Sequence, residues 1–149
     1  TKIDNGQFTD TKQLELNGLL KQYLQDYEEV YDYRNIEVTI DEQDIFNVTM
    51  NESLAVALLT NLLKNAFVHN IDGGHIRITV TKNSITFRNS GVENPLDKEH
   101  IFERFYQGTK KEGSTGLGLA IADSICRLQH LSIRYYFEQK EHCFEISRQ

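Results

Sequence analysis

Asn61, Asn65 and His69 stand four residues apart, and on an α-helix that spacing lines side chains along one face. Their neighbours Leu62, Leu63, Ala66 and Phe67 are apolar. Asparagine is a middling helix former whose side chain competes with the backbone for hydrogen bonds, so two of them inside an apolar helix are poor choices for a purely structural role. Taken alone, the stripe also reads as a solvated outer face. A carboxamide oxygen, however, suits Mg²⁺, a hard cation that takes oxygen donors and keeps waters and phosphate oxygens around it. Asn65 is the candidate metal ligand, with Asn61 and His69 beside it as candidate catalytic residues.

Ser114, Thr115, Gly116, Leu117 and Gly118 form a glycine-rich turn running into an apolar helical pattern. Glycine lets backbone approach a ligand closely, and the free N–H groups and positive dipole end of the following helix attract phosphate oxygens. A glycine turn before a helix is often only a turn. This one fits neither the dinucleotide-binding pattern nor the Walker pattern, because no Gly-Lys-Ser or Gly-Lys-Thr is present. Just upstream, Phe102 and Phe105 lie three apart, as on the apolar side of a single helical turn that would anchor a long loop to the body. A small satellite core element is the equal alternative.

These groups need elements to hold them. Leu14 and Leu16 alternate with polar residues as a short edge strand, and Asn17 then offers a cap for an amphipathic helix reaching Val30. Ile36, Val38 and Ile40 alternate, as do Phe46, Val48 and Met50, with an acidic stretch between them, which predicts a hairpin. Asn51 caps a second helix running to about Val68. A second hairpin follows, built from Ile76, Ile78 and Val80, a turn at Asn83 and Ser84, then Ile85 and Phe87. Residues 90–113 lose periodicity and contain the only proline, Pro95, so they read as loop. A helix over 117–128 and two strands near 131–137 and 143–147 finish the chain. The order implies an α+β sandwich in which helices cover one face of a mixed, mostly antiparallel sheet.

Four segments in this order resemble the boxes of the histidine kinase branch of the ATPase superfamily shared with gyrase, Hsp90 and MutL. Residues 61–70 resemble the N box, and Arg88, Asn89, Ser90 and Gly91 stand at the first glycine box. Residues 101–106 are similar to the F box and 113–119 to the second glycine box. The resemblance implies a Bergerat-type fold, a two-layer sandwich of mixed sheet under three helices, with ATP between the layers and a lid over roughly 92–115. It implies that Asn65 binds Mg²⁺ and Asn61 sits beside the phosphates. Gly116 and Gly118 would hold the phosphates by their backbone, with Ser114, Thr115 and Leu117 alongside. Asn89 and Gly91 would meet adenine, and Phe102 and Phe105 would support the lid.

The departures are specific. Asn89 stands where the family usually has aspartate, and an amide both accepts and donates. Val68 and Gln107 replace a customary lysine and arginine, for which Lys64, Arg104, Lys110 or Lys111 are the substitutes at hand, unless these are ordinary solvated residues. Asn61 stands where hydrolysing relatives carry a glutamate, and asparagine cannot activate water as a base. Slow ATP hydrolysis is expected. None of His69, His75, His100, His130 and His142 lies in a phosphoacceptor box. The implied acceptor is therefore a histidine on a separate dimerisation domain of the same kinase, with a response regulator receiver domain as the next partner. A noncatalytic nucleotide-binding module and an anti-sigma-type serine kinase are the alternatives.

Size and composition agree. With 149 residues and 39% hydrophobic content the chain reads as one domain. Sixteen basic against 22 acidic side chains give a net charge of -6, which opposes general attraction to nucleic acid or an anionic membrane. Cys126 and Cys143 have no zinc spacing and read as reduced core residues. Lacking any run near the roughly 20 apolar residues of a spanning helix, the chain reads as a cytoplasmic, monomeric fragment, with any inner-membrane anchor of its parent expected outside these residues.

Overall fold

The computed structural model describes residues 10–103 and 117–149. Strand β1 (Lys12–Glu15) leads into helix α1 (Leu16–Val30), a 3-10 turn (Asp32–Arg34) and β2 (Glu37–Glu42). Next come β3 (Asn47–Met50), α2 (Glu52–Val68), β4 (His75–Val80) and β5 (Ser84–Asn89). The chain ends in α3 (Gly118–Leu128), β6 (Leu131–Glu138) and β7 (Glu141–Arg148). Five strands form one sheet in the order β2-β4-β5-β7-β6, antiparallel except for the parallel pair β2 and β4, while β1 and β3 make a separate antiparallel ribbon. The three helices lie on one side, α2 between α1 and α3 and over β5. This is the α+β sandwich that the element order implies.

Alternation builds the core. Ile76, Ile78 and Val80, Ile85 and Phe87, and Phe144 and Ile146 turn the same way from three neighbouring strands and are buried. They pack with Leu58, Leu59, Leu62, Leu63 and Ala66 of α2 in one apolar cluster, the burial that fixes the helix against the sheet. Asn51 caps α2 as its sequence indicates, its side-chain oxygen accepting the Leu54 N–H at 3.0 Å. The second hairpin forms in register, Ile78 opposite Phe87. Both cysteines are buried and unpaired, and burial pushes their thiols up, Cys126 to about 12 and Cys143 to about 11. Among the described residues no helix is long and apolar enough to cross a membrane.

Two expectations are corrected. Residues 36–50 do not form a hairpin: β3 pairs with β1, and β2 runs parallel to β4. Alternation marks a strand without naming its partner, and the parallel partner lies beyond a crossover that contains β3 and α2. Nor does Asn17 cap α1. The helix starts at Leu16, whose N–H bonds the Phe46 carbonyl. Asn17 is buried one residue inside, accepting from the Phe46 N–H at 3.0 Å and donating to the Asp44 carbonyl at 3.0 Å and to Glu42 at 2.9 Å. A long-range partner displaced the local one.

Candidate functional site

The polar stripe of α2 is half-buried at Asn61, Asn65 and His69. Asn61 donates through Nδ2 to the Ala57 carbonyl one turn back, at 2.7 Å, which turns its oxygen outward. That oxygen faces the start of α3, where a Cβ on Gly118 would stand only 3.0 Å from it. Glycine is therefore what lets α3 begin against the stripe. Leu117 is the N-cap and supplies no side-chain hydrogen bond, so among the described residues no capping side chain takes the first-turn N–H groups, which are donors of the kind a phosphate accepts from. The N-box stripe and the end of the second glycine box thus meet. Gly116, Ser114, Thr115, Lys110, Lys111, Phe105 and Arg104 lie outside the described residues.

At the other end of α2 the first glycine box comes in. Asn89 closes β5 at 2% exposure and donates Nδ2 to the Ser90 carbonyl at 2.7 Å. A carbonyl only accepts, so this bond fixes which way the amide points. Oδ1 is left as the one buried side-chain N or O atom without a partner among the described residues. An unmet buried acceptor costs about 1–3 kcal/mol, and the exocyclic amino group of adenine is a donor of the kind it lacks. The residues present fit a purine carrying that group.

Two residues the sequence reading passed over hold this corner together. Asn70 is fully buried, donates to the Ala66 and His75 carbonyls at 3.1 and 3.0 Å, and accepts the Ile71 N–H at 2.8 Å. Its oxygen also accepts the Ser90 hydroxyl at 2.5 Å, and that hydroxyl accepts the His75 N–H at 2.9 Å. The end of α2, the start of β4 and the end of β5 are thereby tied into one knot. Arg34, also unforeseen, donates its guanidinium to the carbonyls of Phe67, Val68 and Asn70 and pairs with Asp72 at 2.8 Å. A cation on the last carbonyls of a helix satisfies groups that have no partner within it and opposes its dipole. Nothing in the sequence marks this, because Asp32 and Glu37 stand near Arg34 as local partners while Asp72, which it meets, is 38 positions away.

The remaining sites are placed as follows. His69 is the C-cap of α2, and its carbonyl would stand 2.8 Å from a Cβ on Gly91. Phe102 is half-buried and meets Phe144 edge-on at 6.3 Å, next to the buried Ile101. The first half of the F-box segment is thus anchored to β7. Lys64 is exposed on α2, whereas Val68 is buried, where it serves the core. Hence the geometry brings Asn61 to Gly118, and Asn89 and Gly91 to the α2 C-terminus, with Asn65 between the two ends on one helix face.

The family model for histidine kinase-, DNA gyrase B- and HSP90-like ATPases matches residues 50–147, and the chain belongs to that family. It is 33% identical over 143 residues to the heme sensor protein HssS of Staphylococcus aureus strain Newman, an alignment covering 91% of this chain and 31% of that protein. The chain therefore spans about a third of the length of the curated relatives it matches. Its structure is similar to the catalytic domain of histidine kinase ThkA, with a TM-score of 0.81 and 25% identity over 92% of this chain and 93% of that one. The mycobacterial sensor histidine kinase MprB shares the fold at a TM-score of 0.79 and 18% identity, over 93% and 99% of the two chains. ThkA in complex with the response regulator protein TrrA is matched at a TM-score of 0.74 and 24% identity, covering 93% of this chain and 42% of that one.

Proposed function

We propose that this chain binds Mg-ATP along α2, between the start of α3 and the end of β5, and transfers the γ-phosphoryl to a histidine. That histidine lies on a separate dimerisation domain of the same kinase, from which the group passes to a response regulator receiver domain. The observation that carries the reading is the buried oxygen of Asn89, unpaired among the described residues, at one end of α2, with the glycine start of α3 against Asn61 at the other.

Phosphoryl transfer asks mainly for positioning and charge neutralisation, because its transition state is loose and its charge is spread over oxygens. Asn89 accepts from the adenine amino group, and the first-turn N–H groups of α3 hold phosphate oxygens. Asn65 would hold Mg²⁺ through its amide oxygen, and the metal would supply neutralisation of the phosphate charge. Asn61 orients and does not remove protons, so water is a poor acceptor and hydrolysis is slow. Gly116, Lys110 and Lys111 are the candidates for the remaining phosphate contacts. The domain works in the cytoplasm, where ATP and Mg²⁺ are at hand.

The test is a calorimetric titration with ATP and Mg²⁺, followed by radiolabelled transfer to a supplied phosphoacceptor domain. Asn89→Ala should weaken binding about tenfold, the scale of one lost buried hydrogen bond, and Asn65→Ala should remove its Mg²⁺ dependence. Acid-labile label on the acceptor domain is the expected product. Absence of nucleotide binding would sink the reading. Tight binding without transfer would favour a noncatalytic module, and label on a partner's serine an anti-sigma-type kinase.

A further inference from the structure

His142 stands directly opposite Asn89 in the β5–β7 pairing and is 4% exposed. Both of its nitrogens are bonded. Nε2 lies 2.6 Å from the Val92 carbonyl, which only accepts, so Nε2 carries the proton. Nδ1 is then the bare acceptor, and the Tyr135 hydroxyl at 2.7 Å donates to it. The phenolic oxygen in turn accepts the Leu96 N–H at 3.0 Å. One imidazole and one phenol thus hold two backbone points on either side of Pro95, in the segment that leaves β5.

The ring also confines Gly91. A Cβ there would come within 3.1 Å of the His142 Cδ2 and within 2.8 Å of the His69 carbonyl. The inward positions further along β7, Phe144 and Ile146, are apolar, as packing alone prefers. Polar rings are costly in such a place unless their hydrogen bonds are made, and here the bonds made are a hydroxyl relay and a direct contact, both to residues 92–96. Resting on the nucleotide-binding reading above, we propose that His142, acting with Tyr135, is a positioning residue of the nucleotide site. It fixes the course of residues 91–96, and through Gly91 it steadies the end of β5 where Asn89 presents its acceptor. Neither ring touches the nucleotide.

Three variants separate this role from plain stability. Tyr135→Phe keeps the ring that packs on Phe144 and removes only the hydroxyl. His142→Phe keeps a ring and removes both bonds, and His142→Gln keeps a donor that reaches Val92. The Kd of ADP with Mg²⁺ and the melting temperature are measured on the same samples, with Ile133→Val on β6 as a control of comparable destabilisation. Tyr135→Phe and His142→Phe should each weaken ADP about tenfold. The double variant should be no weaker than His142→Phe alone, because the two act through one relay. His142→Gln should recover part of the loss, and Ile133→Val should leave the Kd unchanged. Lower melting temperatures with a wild-type Kd in both ring variants would overturn the proposal. If His142→Phe does not fold, Tyr135→Phe decides alone, together with exchange of the Leu96 amide, which bound ADP should slow in the unsubstituted chain and not in the variant. Failure of the unsubstituted chain to bind ADP would sink the proposed function and this inference with it, and that result is seen before any substitution is made.

Discussion

A buried imidazole bonded on both nitrogens makes stability depend on pH in a calculable direction. Burial, opposed only by the bond to the Val92 carbonyl, holds His142 below its ordinary 6.5. The folded chain keeps the ring neutral, while the unfolded chain takes up a proton near 6.5, so between the folded value and 6.5 the unfolded state binds more protons. The contribution is complete above about 6.5 and is lost as pH falls towards the folded value. Two other groups titrate elsewhere. Glu141, held below its usual 4.5 mainly by its bond from Arg77, acts in a lower window. His100, raised by Asp97, acts above 6.5 with the opposite sign, and as an exposed pair it adds little. The urea midpoint should therefore fall between pH 7 and pH 5.5, and the fall should shrink in His142→Phe. An equal fall in both proteins would show that the ring is not the group responsible.

At the scale of elements, α2 is held at its start by Asn51 and at its finish by Arg34 together with Asn70. Arg34→Ala leaves the Phe67 and Asn70 carbonyls without their charged donor and should cost about 2 kcal/mol by urea denaturation. Arg34→Lys should recover less than half, since an ammonium lacks the planar fork that reaches several oxygens. A loss within a few tenths of a kcal/mol would mean that water replaces the clamp. The two ends also show what the sequence makes legible. Asn51 acts on a residue three positions away and could be read, as could the β4–β5 hairpin, whose strands meet through a short turn. Arg34, Asn17, the Asn70–Ser90 knot and the His142–Tyr135 relay act on residues brought close only by the finished fold. Helical spacing likewise disclosed Asn61 and Asn65 as a stripe, and glycine before an apolar run disclosed Gly118. That Asn89 keeps an unpaired oxygen depends on the Ser90 carbonyl claiming its nitrogen, which no pattern of residue types conveys.

For the whole molecule, helices on one face leave the other face of the sheet to polar pairs, Arg77 with Glu141 and Arg134 with Glu145 among them. The five strands are not equivalent in how they are joined. β4 with β5 and β6 with β7 close through short turns, whereas β2 meets its parallel partner only across β3 and α2, Glu37 pairing with His75. Bringing distant segments together costs chain entropy before any contact rewards it. β2 also lies at an open edge, paired on one side only and held by no hairpin, and it is therefore the strand expected to leave first. Native-state hydrogen exchange in low denaturant should release the Thr39 and Asp41 amides, whose positions in the ladder face β4, through an opening smaller than global unfolding, while Ile85 and Phe87 wait for the whole. Simultaneous release of both strands would contradict this. Nucleotide held along α2, α3 and β5 should slow the second event and leave the first unchanged, so occupancy of the site would be invisible to the edge of its own sheet.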